Sequence, residues 1–139
     1  MTEQTIFEKL VPLIREVTGV RADQIQMASG LMQDLGAESV DLLDFSFLIE
    51  ETFGITLEPD EFEQKASRSL QDTPYEANGI LTDQALAELR RSLPEVPPEL
   101  LQPGLKKIEL PSILNVAVFV HLIQRKLAEQ SEETQHVNE

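Results

Sequence analysis

Ser39 is the side chain whose position in this sequence most strongly suggests chemistry. It follows a glycine turn and precedes about four turns of acidic, apolar-striped helix in the segment DLGAESVDLLDFSFLIEETFGI, residues 34–55. A serine at the start of a helix is usually an N-cap, which adds about 1 kcal/mol of stability. A nucleophilic serine would need a base, but the only histidines are His121, in an apolar segment, and His136, near the carboxyl end. The sequence also lacks a GxSxG elbow, so a serine hydrolase is disfavoured.

A third interpretation is that Ser39 is modified by another enzyme. A phosphate esterified to this oxygen would lie at the positive end of the helix dipole, beside backbone NH groups that have no intrahelical partner. That location is favourable by about 0.3 to 1 kcal/mol at an exposed site. The position therefore suits a phosphate ester, although a plain N-cap remains the simplest interpretation of the residue alone.

Helical sequence is predicted before the loop that leads to Ser39. Apolar residues at spacings of three and four predict a first helix over residues 5–18, closed by Gly19. Pro12 lies inside this helix and predicts a kink or a later start, because an interior proline removes a hydrogen bond and clashes with the preceding turn. Residues 20–38 contain two glycines and isolated apolar anchors, which indicates a long loop packed onto a core.

The second helix is expected to have Ser39 as its N-cap and to end at Gly54. At about 100° per residue, one stripe of this helix is apolar and should face the core; it comprises Leu42, Phe45, Ile49 and Phe53. The opposite stripe comprises Val40, Asp44, Phe47 and Glu51. Two large apolar residues therefore lie on the face that should be in water.

The rest of the chain predicts two short helices and a longer one. A brief helix should start near Pro59, and the sequence over residues 66–79 is polar. Another short helix is expected over residues 82–93, with a cap at Thr82, before several prolines prevent any long element. The last helix should run over residues 112–128.

These elements predict an all-α fold in a single domain, residues 1–128, followed by a flexible, solvated tail at residues 129–139. A length of 139 residues suits one domain. Aromatic residues make up only 5% of the chain, which favours a core of packed helices over a sandwich.

Composition excludes several classes of function. A net charge of −14 opposes binding to nucleic acid or to an anionic membrane surface, and a partner should be basic. The absence of cysteine rules out disulfides and thiolate metal sites, and His121 is more typical of a core or boundary histidine than of a metal ligand. The chain lacks a secretory signal, and its most apolar stretch, residues 112–123, is too short to span a bilayer. We therefore expect a cytoplasmic protein, working as a monomer.

The segment around Ser39 resembles the prosthetic-group attachment segment of acyl carrier proteins. The family pattern is an Asp-Leu-Gly-Ala turn, then Asp-Ser-Leu, then an acidic helix that ends in Glu-Glu-Phe-Gly-Ile or a close relative. Residues 34–37 match the turn, and Ser39 occupies the place of the modified serine. The helix end is matched by Glu51, Phe53, Gly54 and Ile55. Including the order of the helices, the resemblance covers roughly residues 5–63 and 108–128.

The resemblance implies an acyl-carrier-like four-helix bundle that is not an enzyme. Ser39 would carry 4'-phosphopantetheine through a phosphodiester, transferred from coenzyme A by a magnesium-dependent phosphopantetheinyl transferase. The thiol of that arm would hold an acyl chain as a thioester, for fatty acid or specialised lipid biosynthesis. Two alternatives stay open: a carrier of aminoacyl or polyketide intermediates, and an unmodified helical adaptor.

The resemblance also implies that the second helix is the docking face for acyl-transferring or condensing enzymes with basic patches. By position, the acidic contacts would be Glu38, Asp41, Asp44, Glu50 and Glu51. Val40 and Phe47 would add apolar contact, which agrees with the stripe calculated above. Without the resemblance, a solvated acidic face with scattered apolar residues would be the ordinary interpretation.

The chain departs from the family pattern in three places. Glu38 replaces the usual Asp and Val40 the usual Leu, which puts partner specificity in doubt. An insert of about 40 residues, at about 66–107, precedes the last helix. We expect the insert to pack on that helix and either to enlarge the acyl pocket or to form a docking surface; a packed spacer without a role in chemistry is the alternative.

Overall fold

The helices of the chain surround one continuous apolar core. The computed structural model describes residues 1–58 and 61–137. Five α-helices form most of it: α1 (Glu3–Thr18), α2 (Ser39–Phe53), α3 (Glu61–Leu70), α4 (Asp83–Ser92) and α5 (Val116–Val137). Shorter 3₁₀ helices lie at Ala22–Gln24, Pro98–Leu100 and Lys107–Ile113, and two short strands form β1 (Glu76–Ala77) and β2 (Ile80–Leu81). The predicted helical fold with further helices in the insert is confirmed.

Helix α1 begins earlier than the sequence suggested. The hydroxyl of Thr2 accepts a hydrogen bond from the backbone NH of Thr5 at 3.1 Å and caps the helix, so the prediction of a later start is wrong. Pro12 lies inside the helix. The predicted end is confirmed, because Gly19 adopts the left-handed conformation with φ of 76°. Ile6, Leu10 and Ile14 of its apolar stripe are buried, and α1 packs against both α2 and α5.

Helix α3 and the hairpin after it differ from the prediction. Pro59, where a brief helix was expected to start, lies outside the described residues. Helix α3 continues to Leu70, into the stretch that was described as polar. The strands β1 and β2 pair antiparallel around Asn78 and Gly79. Both turn residues have positive φ, 55° and 81°, as a two-residue turn matched to the twist of a hairpin requires.

Helix α4 connects the insert to the apolar core. Its cap is confirmed, since the hydroxyl of Thr82 accepts a hydrogen bond from Ala85 NH at 3.1 Å. Helix α4 packs against α3. Contact with α5, which was predicted for the insert, is made by Glu95 in the loop after α4: its carboxylate lies 2.6 Å from His121 Nδ1. The insert therefore reaches the last helix through a loop residue.

Helix α5 begins and ends later than predicted. Residues 107–113 form a 3₁₀ helix instead of the start of α5, and the α-helix begins at Val116 rather than Ser112. Asn115 sets this start, because its side-chain oxygen accepts a hydrogen bond from Val118 NH at 3.1 Å. Helix α5 continues to Val137, past the predicted end at Ala128. Among the described helices, none is both long and apolar enough to cross a membrane.

Asn115 also connects three separate parts of the chain. Its side-chain nitrogen donates to the Glu95 carbonyl in the insert at 2.9 Å, and its backbone forms an antiparallel bridge with Gly30 in the loop before α2. The neighbouring backbone extends this contact, with Leu31 NH donating to Leu114 O at 3.2 Å and Val116 NH to Ser29 O at 3.0 Å. The insert, the loop before α2 and the start of α5 are therefore held at one point.

We predict that Asn115→Ala lowers the free energy of unfolding by about 2 kcal/mol, since it removes a helix cap and leaves the Glu95 carbonyl without its partner. Urea unfolding at equilibrium measures this change. Gln102→Ala is the matched control, because Gln102 also donates to a backbone carbonyl but is exposed, and it should change stability by less than about 0.5 kcal/mol. Equal losses of unfolding free energy in the two variants would show that the hydrogen bonds of Asn115 have no special part in stability.

His121 bridges α5 to two acidic residues from distant parts of the chain. Its Nδ1 contacts Glu95 and its Nε2 contacts Glu3 at the start of α1. Desolvation by burial pulls the pKa of His121 down, but the hydrogen bonds and charges of Glu95 and Glu3 outweigh it, so the pKa lies above its ordinary value. The imidazole is thus a boundary group that favours its charged form in the folded protein.

We predict that stability falls as pH rises through the neutral range. Because the pKa of His121 is higher in the folded than in the unfolded chain, its contribution is fully present below the unfolded value of about 6.5 and is lost as pH passes the folded one. Melting temperatures between about pH 6 and about pH 8 should therefore decline more in wild type than in His121→Gln. Parallel profiles for the two proteins would exclude this role.

Candidate functional site

The chain reaches Ser39 through a glycine turn that is held by hydrogen bonds. The carboxylate of Asp34 accepts a hydrogen bond from Gly30 NH at 2.7 Å, and Ala37 NH donates to Leu31 O at 2.9 Å. Gly36 has φ of 76°, a conformation that is strained for other residues. Buried Leu31, Leu35 and Ala37 anchor the turn in the core. The residues that the sequence marked as a turn therefore fix the position at which α2 begins.

Ser39 is the first residue of α2 and not its cap, so that prediction is wrong. Glu38 occupies the N-cap position with extended backbone, φ −100° and ψ 171°. The Asp41 carboxylate accepts a hydrogen bond from Glu38 NH at 2.8 Å, so an acidic residue three positions along stabilises the helix start. Ser39 is exposed, and its hydroxyl forms no hydrogen bond within the described part of the chain. The hydroxyl oxygen of Ser39 is therefore accessible from solvent.

An apolar cavity of about 270 Å³ opens beside Ser39. It lies between α2, α3, the 3₁₀ segment at Lys107–Ile113 and α5. Its lining residues are Ser39, Leu42, Leu43, Ser46, Leu57, Glu58, Phe62, Pro111, Leu114 and Phe119. Phe119 makes an edge-to-face contact with Phe62, with ring centroids 6.0 Å apart. The site thus combines an accessible hydroxyl with an apolar space next to it.

The predicted core stripe of α2 is correct for three of its four residues. Phe45, Ile49 and Phe53 are buried, whereas Leu42 is half-buried because it lines the cavity. Sequence reasoning did not identify Leu43, which is 42% exposed and also lines the cavity. The cavity itself could not be predicted, because its walls come from segments far apart in the sequence.

The opposite stripe of α2 faces water, as its periodicity predicted. Val40 and Phe47 are each 59% exposed, and Glu38, Asp44 and Glu51 are exposed beside them. These five residues form one continuous acidic and apolar surface, called the α2 face below.

The two other acidic residues assigned to this helix have partners inside the chain. Asp41 is half-buried and accepts the hydrogen bond from Glu38 NH. Glu50 is also half-buried, and its carboxylate accepts a hydrogen bond from Leu57 NH at 2.8 Å, which fixes the segment that follows α2. Both carboxylates therefore support the local structure of the site.

The histidine that could act as a base is engaged elsewhere. His121 contacts Glu95 and Glu3, and no hydrogen bond joins it to Ser39. Among the residues that the structure describes, no group of three His, Cys, Asp or Glu side chains is placed to hold a metal ion. Among the described residues, no histidine is hydrogen-bonded to the Ser39 hydroxyl.

Comparisons with known proteins agree with this geometry. Residues 8–72 match the family described as "Phosphopantetheine attachment site", a range that includes most of α1 and all of α2 and α3. An acyl carrier protein of Guillardia theta is 41% identical over 64 residues, which is 46% of this chain and 79% of that protein. An acyl carrier protein of Clostridium acetobutylicum is 39% identical over 62 residues, 45% of this chain and 79% of its own length.

Proposed function

The chain belongs to the acyl carrier protein family, and on that basis we propose that Ser39 is the residue that holds its prosthetic group. As a member of this family it is a carrier rather than an enzyme, and its cofactor is a covalently attached 4'-phosphopantetheine. The observation that supports Ser39 is its exposed hydroxyl without a hydrogen-bond partner, at the end of a fixed turn and the start of α2. The terminal thiol of the bound group supplies the thioester that holds the cargo.

The position of Ser39 suits the transfer reaction. A bond forms between the serine oxygen and phosphorus, the bond between that phosphorus and the nucleotide part of coenzyme A breaks, and the serine proton passes to a base of the transferase. The product keeps a negative phosphodiester at the first residue of α2, where the helix dipole and the free NH groups of the first turn stabilise it. Because Ser39 is not the cap, modification costs the helix no hydrogen bond.

We propose an acyl cargo, for fatty acid or specialised lipid biosynthesis. The support is the cavity beside Ser39, which is lined mainly by apolar side chains such as Leu42, Leu43 and Phe119. A charged aminoacyl group would lose hydration there, and apart from Ser39, Ser46 and Glu58 the lining side chains offer it no polar partner. The alternative of a carrier for aminoacyl intermediates is therefore less compatible with this cavity.

We propose that the α2 face docks partner enzymes, including phosphopantetheinyl transferase and acyl-processing enzymes with basic patches. Glu38, Asp44 and Glu51 would attract such patches over a distance, while Val40 and Phe47 would supply a small apolar contact. Long-range attraction accelerates encounter without a large interface, which suits a carrier that must leave each enzyme in turn. Asp41 and Glu50 would contribute charge, although they also hold the local backbone.

We predict that wild type incubated with coenzyme A and a broad-specificity phosphopantetheinyl transferase gains the mass of one phosphopantetheine, whereas Ser39→Ala gains none. Intact mass spectrometry reads out the result. Ser46→Ala is the matched control, because Ser46 also lies on α2 and lines the same cavity, and it should be modified like wild type. A mass gain on Ser39→Ala would refute the assignment, and no gain on wild type would favour the unmodified adaptor.

We predict that Phe47→Ala slows modification by the transferase about tenfold in kcat/KM, since truncating an apolar contact residue costs roughly 1 to 2 kcal/mol of binding. Melting temperature should not change, because Phe47 is exposed. Ile80→Ala is the control: Ile80 is 42% exposed but lies in the hairpin of the insert. Equal rates for Phe47→Ala and Ile80→Ala would rule out docking through the α2 face.

A further inference from the structure

A second apolar cavity adjoins the one beside Ser39. It has a volume of about 360 Å³ and is lined by Phe62, Glu63, Lys107, Ile108, Leu110, Pro111 and Leu114. Three of these residues, Phe62, Pro111 and Leu114, also line the first cavity. The two cavities therefore share a wall, and the aromatic ring of Phe62 lies where they meet.

The second cavity is formed mainly by the segment Lys107–Ile113, which lies outside the region matched by the attachment-site family. The hairpin of the insert holds the start of this segment. Lys107 NH donates to Gly79 O at 2.9 Å, Leu81 NH donates to Leu105 O at 3.0 Å, and Ile80 forms a backbone bridge with Lys106. The insert thus positions one wall of the second cavity.

Ile108 is the lining residue that an apolar ligand would change most. This residue is 85% exposed although it lines an apolar space. Leu110 and Leu114 on the same lining are buried. An aliphatic ligand in the cavity would remove Ile108 from water, which is the favourable change that apolar burial provides.

We propose that the second cavity holds the far end of a long acyl chain whose thioester end is tethered through Ser39. This inference rests on the proposed function and names its substrate class: straight acyl chains longer than the first cavity can enclose. The chain would run from the cavity beside Ser39, past Phe62, to Ile108. Because the ligand is tethered to the same protein, its effective concentration at the second cavity is high without any further contact.

Continuity between the cavities favours a tethered acyl chain over a partner protein. A side chain of a partner could also cover Ile108, but such docking would not explain why the cavity shares three lining residues with the one at Ser39. The experiment below separates the two occupants.

The test compares acyl chains of increasing length on the full chain. A transferase loads octanoyl, dodecanoyl, hexadecanoyl and octadecanoyl arms from the corresponding acyl coenzymes A, and mass spectrometry confirms each product. The melting temperature and the rate of thioester cleavage by hydroxylamine are then measured. In wild type, the melting temperature should rise with acyl-chain length up to octadecanoyl. Protection of the thioester from hydroxylamine should rise in the same way.

Ile108→Asp should abolish only the long-chain part of this gain. Its octanoyl form should behave like wild type, while its hexadecanoyl form should be cleaved several-fold faster. The matched control is Ala87→Asp, which places the same carboxylate at an exposed apolar residue of the insert that lines neither cavity, and it should follow wild type at every length. Ser46→Phe, which fills the first cavity only, should reduce protection of all chains including octanoyl.

The outcomes distinguish this inference from the proposed function. Failure to load any arm would refute the proposed function. Successful loading with the same length dependence in Ile108→Asp and wild type would overturn the second cavity as an acyl site. If Ile108→Asp kept the wild-type dependence on acyl-chain length but slowed transfer of the acyl group to a partner enzyme, Ile108 would belong to a protein-docking patch. The inference would then be wrong.

Discussion

The structure depends on the hydrogen bonds of Asn115, the one buried polar side chain among the residues described. Its oxygen caps α5, its nitrogen binds the insert at Glu95, and its backbone pairs with Gly30 before α2. A buried amide is tolerated only where its groups are satisfied, and breaking one bond leaves a desolvated partner. The same residue therefore fixes the Ser39 turn, the direction of α5 and the far end of the insert.

The acidic side chains in the first half of the chain fall into two groups, those that accept backbone hydrogen bonds and those that face water. Asp34, Asp41 and Glu50 accept backbone hydrogen bonds that shape the turn, the start of α2 and the segment after it. Within the described ranges, no backbone NH donates to Asp44 or Glu51, and both residues face water. Acidic composition alone could not separate these groups, because the separation depends on which backbone NH groups lie within reach.

Periodicity and capping chemistry predicted the elements that local sequence controls. The ends of α1 and α2 at Gly19 and Gly54 follow from left-handed glycines, and the start of α4 follows from the Thr82 cap. The cap of α2 was missed because serine is a good capping residue by type, whereas the hydrogen bond from Glu38 NH to the Asp41 carboxylate starts the helix one residue earlier than predicted. A hairpin with two residues in each strand is too short to show periodicity.

The long-range features were beyond sequence reasoning, since they require distant segments to meet. Neither cavity can be inferred from the sequence of α2 alone. Phe62, Pro111 and Phe119, which line the cavity beside Ser39, belong to three other elements. The start of α5 at Val116 likewise depends on pairing with the loop before α2. By contrast, the two faces of α2 were predictable, because a single helix carries both of them.

On the proposed assignments, the location of the insert would let the length of the cargo change while the α2 face stayed the same. The insert begins within α3 and ends before α5, and both helices line the cavity beside Ser39. Val40 and Phe47 lie on α2, outside the insert. Residues that bound the second cavity, such as Ile108, could therefore vary with cargo length while docking stayed constant. On the proposed assignment, cargo capacity and partner recognition lie on opposite sides of α2, and each can evolve under its own constraint.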